Sequence, residues 1–250
     1  MAKRSIPVAF DVLGTCFDIR GAVAPLRSSF PTLQAESATA VVDDWFHSAQ
    51  RDFTYLSMNG AYRPIAEVLK ATLPRVLAMQ NVIPPPANPS QPADQYSDSL
   101  QPVLSALKSL PARPSLSGAS TLLLENGFRC MAATNGALES TRGLFTNALG
   151  EEVAQKWEYY SCDEDRVAKP APSVYAVIRK RLGLEKEDEE CWFVASHTWD
   201  LFAAKKAGFK TAFVTYEEHF VLDEVFGRPD IVARDLEEAA KQIIERSGRS

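Results

Sequence analysis

Asp11 is the first residue whose type and surroundings could do chemistry. It ends a short apolar run, and Gly14 and Thr15 follow it closely. A carboxylate can attack an electrophilic carbon or phosphorus and form an ester that water later cleaves. Gly14 allows a sharp turn whose N–H could face an anion, and the Thr15 hydroxyl could donate to the carboxylate. The same pattern is also typical of an aspartate that only accepts backbone hydrogen bonds in a tight turn.

Two further polar segments could complete such a site. Thr134 and Asn135 close another apolar run, where they could cap a helix or hold an anionic substrate group at its N-terminus. Lys169 is followed by Pro170, which restricts the backbone before it. A lone lysine is usually a solvated surface residue. Beside Asp11, however, its ammonium would keep the carboxylate ionised and lower its pKa.

His197 and Asp200 lie in a fourth polar segment, again directly after an apolar run. Asp200 could be a first-turn acid stabilised by the helix dipole, and a lone histidine is most often structural. At a strand end opposite Asp11, His197 would instead be a proton carrier near neutral pH. The four segments therefore predict a carboxylate-based site, provided that the fold brings them together.

The elements around these segments favour an α/β fold with a parallel sheet. Short apolar runs of strand length alternate with helical patterns, which is typical of βαβ units. Such sheets place their chemistry outside the carboxyl ends of the strands, where the segments of Asp11, of Thr134 and of His197 fall. The predicted strands are 7–10, 128–133, 191–195 and 211–214, and the helices predicted among and after them are 140–149, 173–182, 200–207 and 235–246.

The region 21–117 interrupts this alternation. Amphipathic helices are predicted over 37–55 and 65–79, and the composition of the proline-rich stretch 84–92 indicates an exposed loop. No strand is expected there. The prediction is therefore a helical insertion, residues 21–117, in an α/β domain formed by residues 1–20 and 118–250.

The composition limits the classes of partner. The chain has 250 residues and a formal net charge of −5. Nucleic-acid binding is not expected, because it usually depends on a clustered basic surface. No apolar run is long enough for a membrane span or a signal peptide, so a cytoplasmic protein with no membrane partner is expected. The four cysteines lack the spacing of a zinc site or a disulfide framework.

Together and in this order, the four polar segments resemble the sequence motifs of the haloacid dehalogenase superfamily. The similarity covers about 6–20 and 104–244 and is weaker in the insertion. Segments 169–175 and 193–200 most resemble the L-2-haloacid dehalogenase (type II) branch. The resemblance implies a Rossmann-like core, a helical cap that closes over the site, and hydrolysis through an aspartyl ester without a metal or other cofactor.

The resemblance also implies roles for individual residues. Asp11 would displace halide from C2 of a short 2-haloacid, Lys169 would keep it charged, and Asp200 would pair with Lys169. A water activated near Asp200 or His197 would then hydrolyse the ester. The expected partner is a small-molecule substrate, and a homodimer is left open. The expected substrate contacts are Thr15, Thr134 and Asn135 for the carboxylate end, Leu13, Tyr175 and Trp199 for the pocket wall, and Arg51 from the cap.

Phosphatases of the superfamily differ from this chain at two positions. They carry a second aspartate two residues after the nucleophile, where this chain has Leu13. They also carry a further magnesium-binding acid in the fourth motif, where this chain has Ser196. Without the cation, phosphoryl charge would be poorly neutralised, so phosphatase activity is not expected.

The dehalogenase pattern also has departures. Leu56 stands where that branch has a halide-binding cap arginine, with Arg51 and Arg63 nearby, and Ala195 and His197 replace a serine and an asparagine. Two alternatives therefore stay open. One is a related hydrolase of secondary metabolism that uses the same nucleophile on another carbon electrophile or ester. The other is a non-catalytic binding protein on the same fold.

Overall fold

The computed structural model describes residues 5–88, 96–186 and 189–249. The chain divides into two compact units. The first unit comprises Met1–Phe17 and Ala112–Ser250, and the second is Asp18–Pro111. An antiparallel bridge between Phe17 and Ala112 joins the two passages of the chain at the point where the first unit is interrupted.

A parallel sheet forms the centre of the first unit. Within the described residues it has six strands in the order β3-β2-β1-β4-β5-β6. All four residues of β1 are buried, as expected for a central parallel strand with both faces covered. The strands are β1 (Pro7–Phe10), β2 (Arg129–Thr134), β3 (Glu158–Ser161), β4 (Trp192–Ala195), β5 (Lys210–Val214) and β6 (Ile231–Ala233).

Helices cover this sheet, and α5 packs on α11 while α8 packs on α9. Two helix starts follow simple chemistry. Pro172 occupies the first turn of α8, where its missing N–H costs nothing, and the Asp235 carboxylate caps α11 by accepting from Glu238 N at 2.8 Å. The helices of this unit are α5 (Leu116–Glu125), α6 (Leu138–Leu149), α7 (Glu151–Ala154), α8 (Pro172–Arg181), α9 (Thr198–Lys206), α10 (Asp223–Phe226) and α11 (Leu236–Arg246).

Among the described residues of the second unit, every regular element is a helix. Its longest helix, α2, buries Trp45, Ala49 and Phe53 at helical spacing, and α2 packs on α3. The Trp45 indole N–H donates to the Leu69 carbonyl oxygen at 2.9 Å, which ties the two helices together. The unit consists of a 3₁₀ turn (Ile19–Ala22) and helices α1 (Val23–Ser29), α2 (Ala35–Met58), α3 (Ile65–Met79) and α4 (Ser97–Ala106).

The predicted fold class, an α/β parallel sheet with an inserted helical region, is confirmed. The edge strands β3 and β6 were not predicted. Of the predicted proline-rich loop, residues 84–88 are exposed and belong to no helix or strand, whereas 89–92 lie outside the described residues. In the part of the chain that the structure describes, every helix is too short or too polar to cross a membrane.

Candidate active site

The register of the sheet brings the ends of β1, β2 and β4 together. Phe10 is paired with Ala132 on one side and with Val194 on the other. The Asp11 N–H extends the ladder by donating to the Val194 carbonyl oxygen at 2.9 Å. The polar residues that follow β2 and β4 therefore lie at the same edge of the sheet as Asp11.

The Asp11 carboxylate is buried and has a charged or polar group at each oxygen. Lys169 Nζ donates to Oδ1 at 2.6 Å, and the Thr15 hydroxyl donates to Oδ2 at 2.7 Å. His197 Nδ1 lies 3.6 Å from Oδ2. Thr15 is held in turn by Ser196, whose backbone N–H donates to the threonine hydroxyl oxygen at 2.9 Å. The sheet edge thus fixes both the position and the rotation of the carboxylate.

Lys169 belongs to this cluster and not to the protein surface. Its side chain is 1% exposed. Besides Asp11, its ammonium donates to Asp200 Oδ2 at 2.7 Å and to the Ala133 carbonyl oxygen at 3.2 Å. The three contacts use the three donors that an ammonium has. Its backbone N–H donates to Asn135 Oδ1 at 3.0 Å, so the segment after β2 helps to aim the lysine.

The charges of this cluster determine which groups are ionised. Burial alone would raise the pKa of Asp11, but the Lys169 ammonium and the His197 ring outweigh burial and hold the pKa well below its usual range. Burial would lower the pKa of Lys169, but the Asp11 and Asp200 carboxylates raise it above its usual value. At neutral pH the site therefore contains an ionised carboxylate beside a charged ammonium.

Asp200 is fully buried and accepts hydrogen bonds on both oxygens, from Lys169 on Oδ2 and from the Tyr175 hydroxyl on Oδ1. Burial raises the pKa of Asp200 against the opposing effect of Lys169, and the negative charge of Asp11 adds to the rise. Burial and the Asp200 carboxylate raise the pKa of Tyr175 well above its usual value, so the phenol stays protonated and donates. Asp200 is placed to orient Lys169.

His197 directly precedes α9, and its side chain is 2% exposed. Its ring stacks on Trp199, with 5.4 Å between the ring centroids and 27° between the planes. Burial would lower the pKa of His197, but the carboxylates of Asp11, Glu218 and Asp200 outweigh burial and raise it. The ring is therefore a proton-carrying group in contact range of Asp11.

Gly14 makes the close approach between these segments possible. Its φ is +87°, and a Cβ atom there would lie 3.0 Å from His197 Cε1 and 3.3 Å from Glu217 Cγ. The expectation that its N–H faces an anion is wrong, because this N–H donates to the Phe17 carbonyl oxygen at 2.8 Å. The glycine serves the turn after Asp11 and leaves room for the histidine ring.

A family model decides the identity of the chain. The model of the haloacid dehalogenase-like hydrolases matches residues 8–208. The chain belongs to this family. Its curated relatives include the (S)-2-haloacid dehalogenase 2 of Pseudomonas sp. (strain CBS-3), which is 27% identical over 235 residues, 92% of each chain. The haloacetate dehalogenase H-2 of Moraxella sp. (strain B) is 23% identical over 230 residues, which are 91% of this chain and 93% of that one.

A solved structure shares the fold of this haloacid dehalogenase-like hydrolase. It is the L-2-haloacid dehalogenase from Xanthobacter autotrophicus with chloropropionic acid covalently bound. The TM-score is 0.75 at 20% sequence identity, and the match covers 96% of this chain and 98% of that one. The superfamily and the hydrolase class inferred from the four motifs are confirmed.

Thr134 and Asn135 of the hydrolase take local roles that differ from helix capping. α6 begins at Leu138 and has no side-chain cap. The Thr134 hydroxyl oxygen instead accepts from Gly136 N at 2.8 Å, and Asn135 bonds to the Lys169 backbone. Both residues therefore stabilise the loop after β2 at the edge of the sheet that carries Asp11.

The remaining predicted contacts lie in different surroundings. Leu13 is half-buried in the turn after Asp11. Trp199 lines a groove of about 730 Å³ together with Pro170 and Phe202, a groove that Asp11 does not line. Tyr175 is fully buried. Arg51 lies on α2 in the second unit, where it is half exposed and pairs with a neighbouring aspartate at 3.2 Å.

Three residues that the sequence did not identify stabilise the segments that carry the site: Arg113, Glu217 and Glu218. Arg113 donates to the Gly14 carbonyl oxygen at 3.0 Å and forms a buried ion pair with Glu217. Glu218 Oε2 accepts from the backbone N–H of Thr198 at 2.9 Å and from its hydroxyl at 2.6 Å. Arg113 has no local signature, since it is 99 residues from Gly14. The two glutamates follow β5, and their place after a strand end was a signal that could have identified them.

Proposed function

We propose that this haloacid dehalogenase-like hydrolase removes halide from C2 of short 2-haloacids through an ester on Asp11 and without a metal ion. One observation carries the proposal: a buried carboxylate at a strand end, kept ionised by an ammonium at 2.6 Å. A carboxylate in that state is a nucleophile for carbon. The substrate class is supported by relatives that are named as 2-haloacid and haloacetate dehalogenases.

The reaction has two steps. First, a carboxylate oxygen of Asp11 attacks C2, the carbon–halogen bond breaks, the halide leaves with the bonding electrons, and C2 inverts. Water then attacks Cγ of the ester, and the bond between Cγ and the ester oxygen breaks. The 2-hydroxy acid leaves, a proton is released, and one water oxygen stays in the carboxylate. Lys169, at 2.6 Å from Oδ1, is placed to stabilise the negative charge that develops there in the second step.

Two side chains support reaction at carbon over reaction at phosphorus. Leu13, half-buried in the turn after the nucleophile, offers no acid that could protonate a phosphate ester. The Ser196 hydroxyl lies 2.9 Å from the Thr15 hydroxyl and is fully buried, so it serves the nucleophile loop. Both positions carry acids in the phosphatases of the superfamily, and a divalent cation there would neutralise phosphoryl charge.

The substrate-binding roles are proposed from chemistry and position. The Thr134 hydroxyl and the amide of Asn135 are the donors that we assign to the substrate carboxylate. Thr15 was expected there too, but its one O–H already donates to Asp11 Oδ2, so we assign it the orientation of the nucleophile. Leu13 and Trp199 are assigned to the pocket wall. Because Tyr175 is buried and its hydroxyl bonds to Asp200, we assign it the orientation of that carboxylate, and through it of the lysine.

We propose that the second unit, Asp18–Pro111, serves as the cap and supplies the side chains near the leaving group, with Arg51 among them. Leu56 in place of an arginine favours one second candidate, a hydrolase that uses the same nucleophile on another carbon electrophile or ester.

We also propose a cytoplasmic location, because the four cysteines are free and buried, as is usual in a reducing compartment. Light scattering on the purified chain decides between a monomer and the homodimer left open above.

Isotope labelling tests the proposed function. A single turnover of 2-chloropropionate in oxygen-18 water, with enzyme in excess, should place the label in the Asp11 carboxylate, because water attacks the enzyme ester. Asp11→Asn should fall to background halide release, whereas Asp223→Asn, an exposed acid on α10, should behave as the wild type. Label found in the product alone would show direct attack of water on the substrate and would rule out the ester.

A further inference from the structure

We propose that His197, and not Asp200, is the acid and base of ester hydrolysis, and that it takes no part in the displacement of halide. The proposal rests on the proposed function, because it concerns the second step of the reaction at the Asp11 ester. The resemblance leaves activation of the hydrolytic water open between Asp200 and His197, and the proposal assigns it to His197.

Asp200 is committed to other contacts. The Lys169 ammonium bridges the two carboxylates, 2.6 Å from Asp11 Oδ1 and 2.7 Å from Asp200 Oδ2, and Tyr175 donates to the other Asp200 oxygen. Asp200 therefore acts on Asp11 through the lysine, with a donor already on each of its oxygens. Glu217 and Glu218, which follow β5, are engaged as well. Glu217 pairs with a buried arginine, and Glu218 binds the first residue of α9.

The position of the His197 ring selects the second step. In an in-line displacement the departing halide lies on the far side of C2 from the attacking oxygen. The His197 ring instead lies beside the carboxylate group, with its Nδ1 3.6 Å from Asp11 Oδ2. It therefore faces the carboxylate group itself, the Cγ and oxygen atoms that react when the ester is hydrolysed. Stacking on Trp199 and the close turn at Gly14 hold the ring there.

Formation of the ester removes a negative charge beside the His197 ring. In the resting site, the carboxylates of Asp11, Glu218 and Asp200 raise the pKa of His197 despite burial. Alkylation removes the negative charge of Asp11, whereas the Lys169 ammonium beside it stays. Burial favours the neutral ring, and fewer negative charges now act against burial. The pKa of His197 therefore falls, and the ring releases its proton to solvent. The imidazole becomes a base only when there is an ester to hydrolyse.

The protons balance without a further reactant. The neutral ring takes a proton from water as the water oxygen bonds to Cγ of Asp11. It gives that proton to the ester oxygen as the bond between Cγ and this oxygen breaks, which frees the 2-hydroxy acid. The new carboxylic acid of Asp11 returns its own proton to the ring. The net reaction consumes one water and releases one halide and one proton, and both side chains regain their resting charges.

Rapid-quench kinetics with 2-bromopropionate test the assignment. His197→Phe keeps an aromatic ring to stack on Trp199, and His197→Gln keeps a polar group. Both should release one halide per active site at close to the wild-type rate and then accumulate the Asp11 ester, seen by mass spectrometry. Hydrolysis should slow by about 10²–10⁴-fold, the usual contribution of general acid–base catalysis. His219→Asn is the matched control, an exposed histidine at φ 56°, a conformation that asparagine tolerates.

A variant that fails to release the first halide, or one that hydrolyses the ester at the wild-type rate, overturns the assignment. The wild type provides a second measurement that does not depend on the folding of variants. Its hydrolysis rate constant should fall at low pH with one ionisation, while the displacement rate constant stays flat over the same range. Parallel pH profiles for both steps would refute the role of His197 and would leave the proposed function standing. A wild type that forms no ester on Asp11 refutes the proposed function, and the assignment of His197 falls with it.

Discussion

Replacing Lys169 by methionine removes the charge that keeps the nucleophile ionised while largely preserving the volume of the side chain. The ammonium is 2.6 Å from Asp11 and 2.7 Å from Asp200. Without it, two buried carboxylates share one site, and both burial and their mutual repulsion favour protonation. We expect slower displacement of halide and an acidic limb of the pH–rate profile of this step that moves upward.

The geometry gives the size of the shift in the acidic limb. An opposite charge within about 4–6 Å lowers a carboxyl pKa by about 1–3 units, so its loss should move the limb up by about 1–3 pH units. Each unit corresponds to about 1.36 kcal/mol. The sign is fixed because the ionised form of Asp11 attacks. The wild type, whose Asp11 pKa is held low, keeps its displacement rate constant below the ordinary aspartate value of about 3.9, where the variant has lost it.

The rate constant of the first halide release, measured by rapid quench from about pH 3 to pH 9, gives the two profiles, with circular dichroism at each pH to confirm folding. Lys180→Met is the matched control, because this exposed lysine lies on the helix that follows Lys169. An unmoved limb and a nearly normal rate would refute the reasoning. Lys169 would then be a buried structural cation without influence on the nucleophile.

Two further outcomes follow. Activity should survive extensive EDTA treatment and should not rise with added magnesium, because Leu13 and Ser196 replace the acids of the phosphatase branch; a magnesium-dependent rate on p-nitrophenyl phosphate that Asp11→Asn abolishes would contradict this. Activity of the wild type on 2-chloropropionate should be weak, with kcat/KM well below about 10⁴ M⁻¹s⁻¹, because Leu56 cannot stabilise a departing anion. Leu56→Arg should raise that rate, and Tyr55→Arg, at an exposed neighbour on α2, should not. An efficient wild type whose rate is unchanged by Arg51→Ala and by Arg63→Ala would show that another donor binds the halide.

The central strands could be predicted from the sequence because a strand covered on both faces must be apolar along its whole length. Both missed strands lie at the edges of the sheet. Glu158–Ser161 has two of its four residues only partly buried, and Ile231–Ala233 has three residues with the middle one exposed. One is too polar and the other too short to be predicted from its own residues. Their hydrogen-bonded ladders make them strands, and a ladder depends on a neighbour elsewhere in the chain.

The same limit applies to the site. Three of the four polar segments could be found because each follows a predicted strand, and Lys169 could be found because Pro170 follows it, whereas the contacts among the segments are not local. Lys169 reaches Asp11 across 158 residues and Asp200 across 31. An apolar pattern predicts that Tyr175 is buried, but not that its hydroxyl bonds to Asp200. Arg113 has neither an apolar run nor a motif beside it, so the sequence holds no local trace of its contact with Gly14.

The place of β1 at the centre of the sheet has a consequence for synthesis. This strand leaves the ribosome before the other five strands of the sheet, yet its ladder partners are Arg129–Thr134 and Trp192–Ala195. Until the second of these has been made, β1 has an unpaired edge in a fully apolar strand, and such edges are templates for aggregation. Closing contacts over such long stretches of chain is also slow. A nascent chain that stops before residue 192 therefore lacks both the second neighbour of β1 and the carboxylate of Asp200, so the same stretch of chain completes the pairing of β1 and the ion pairs of Lys169.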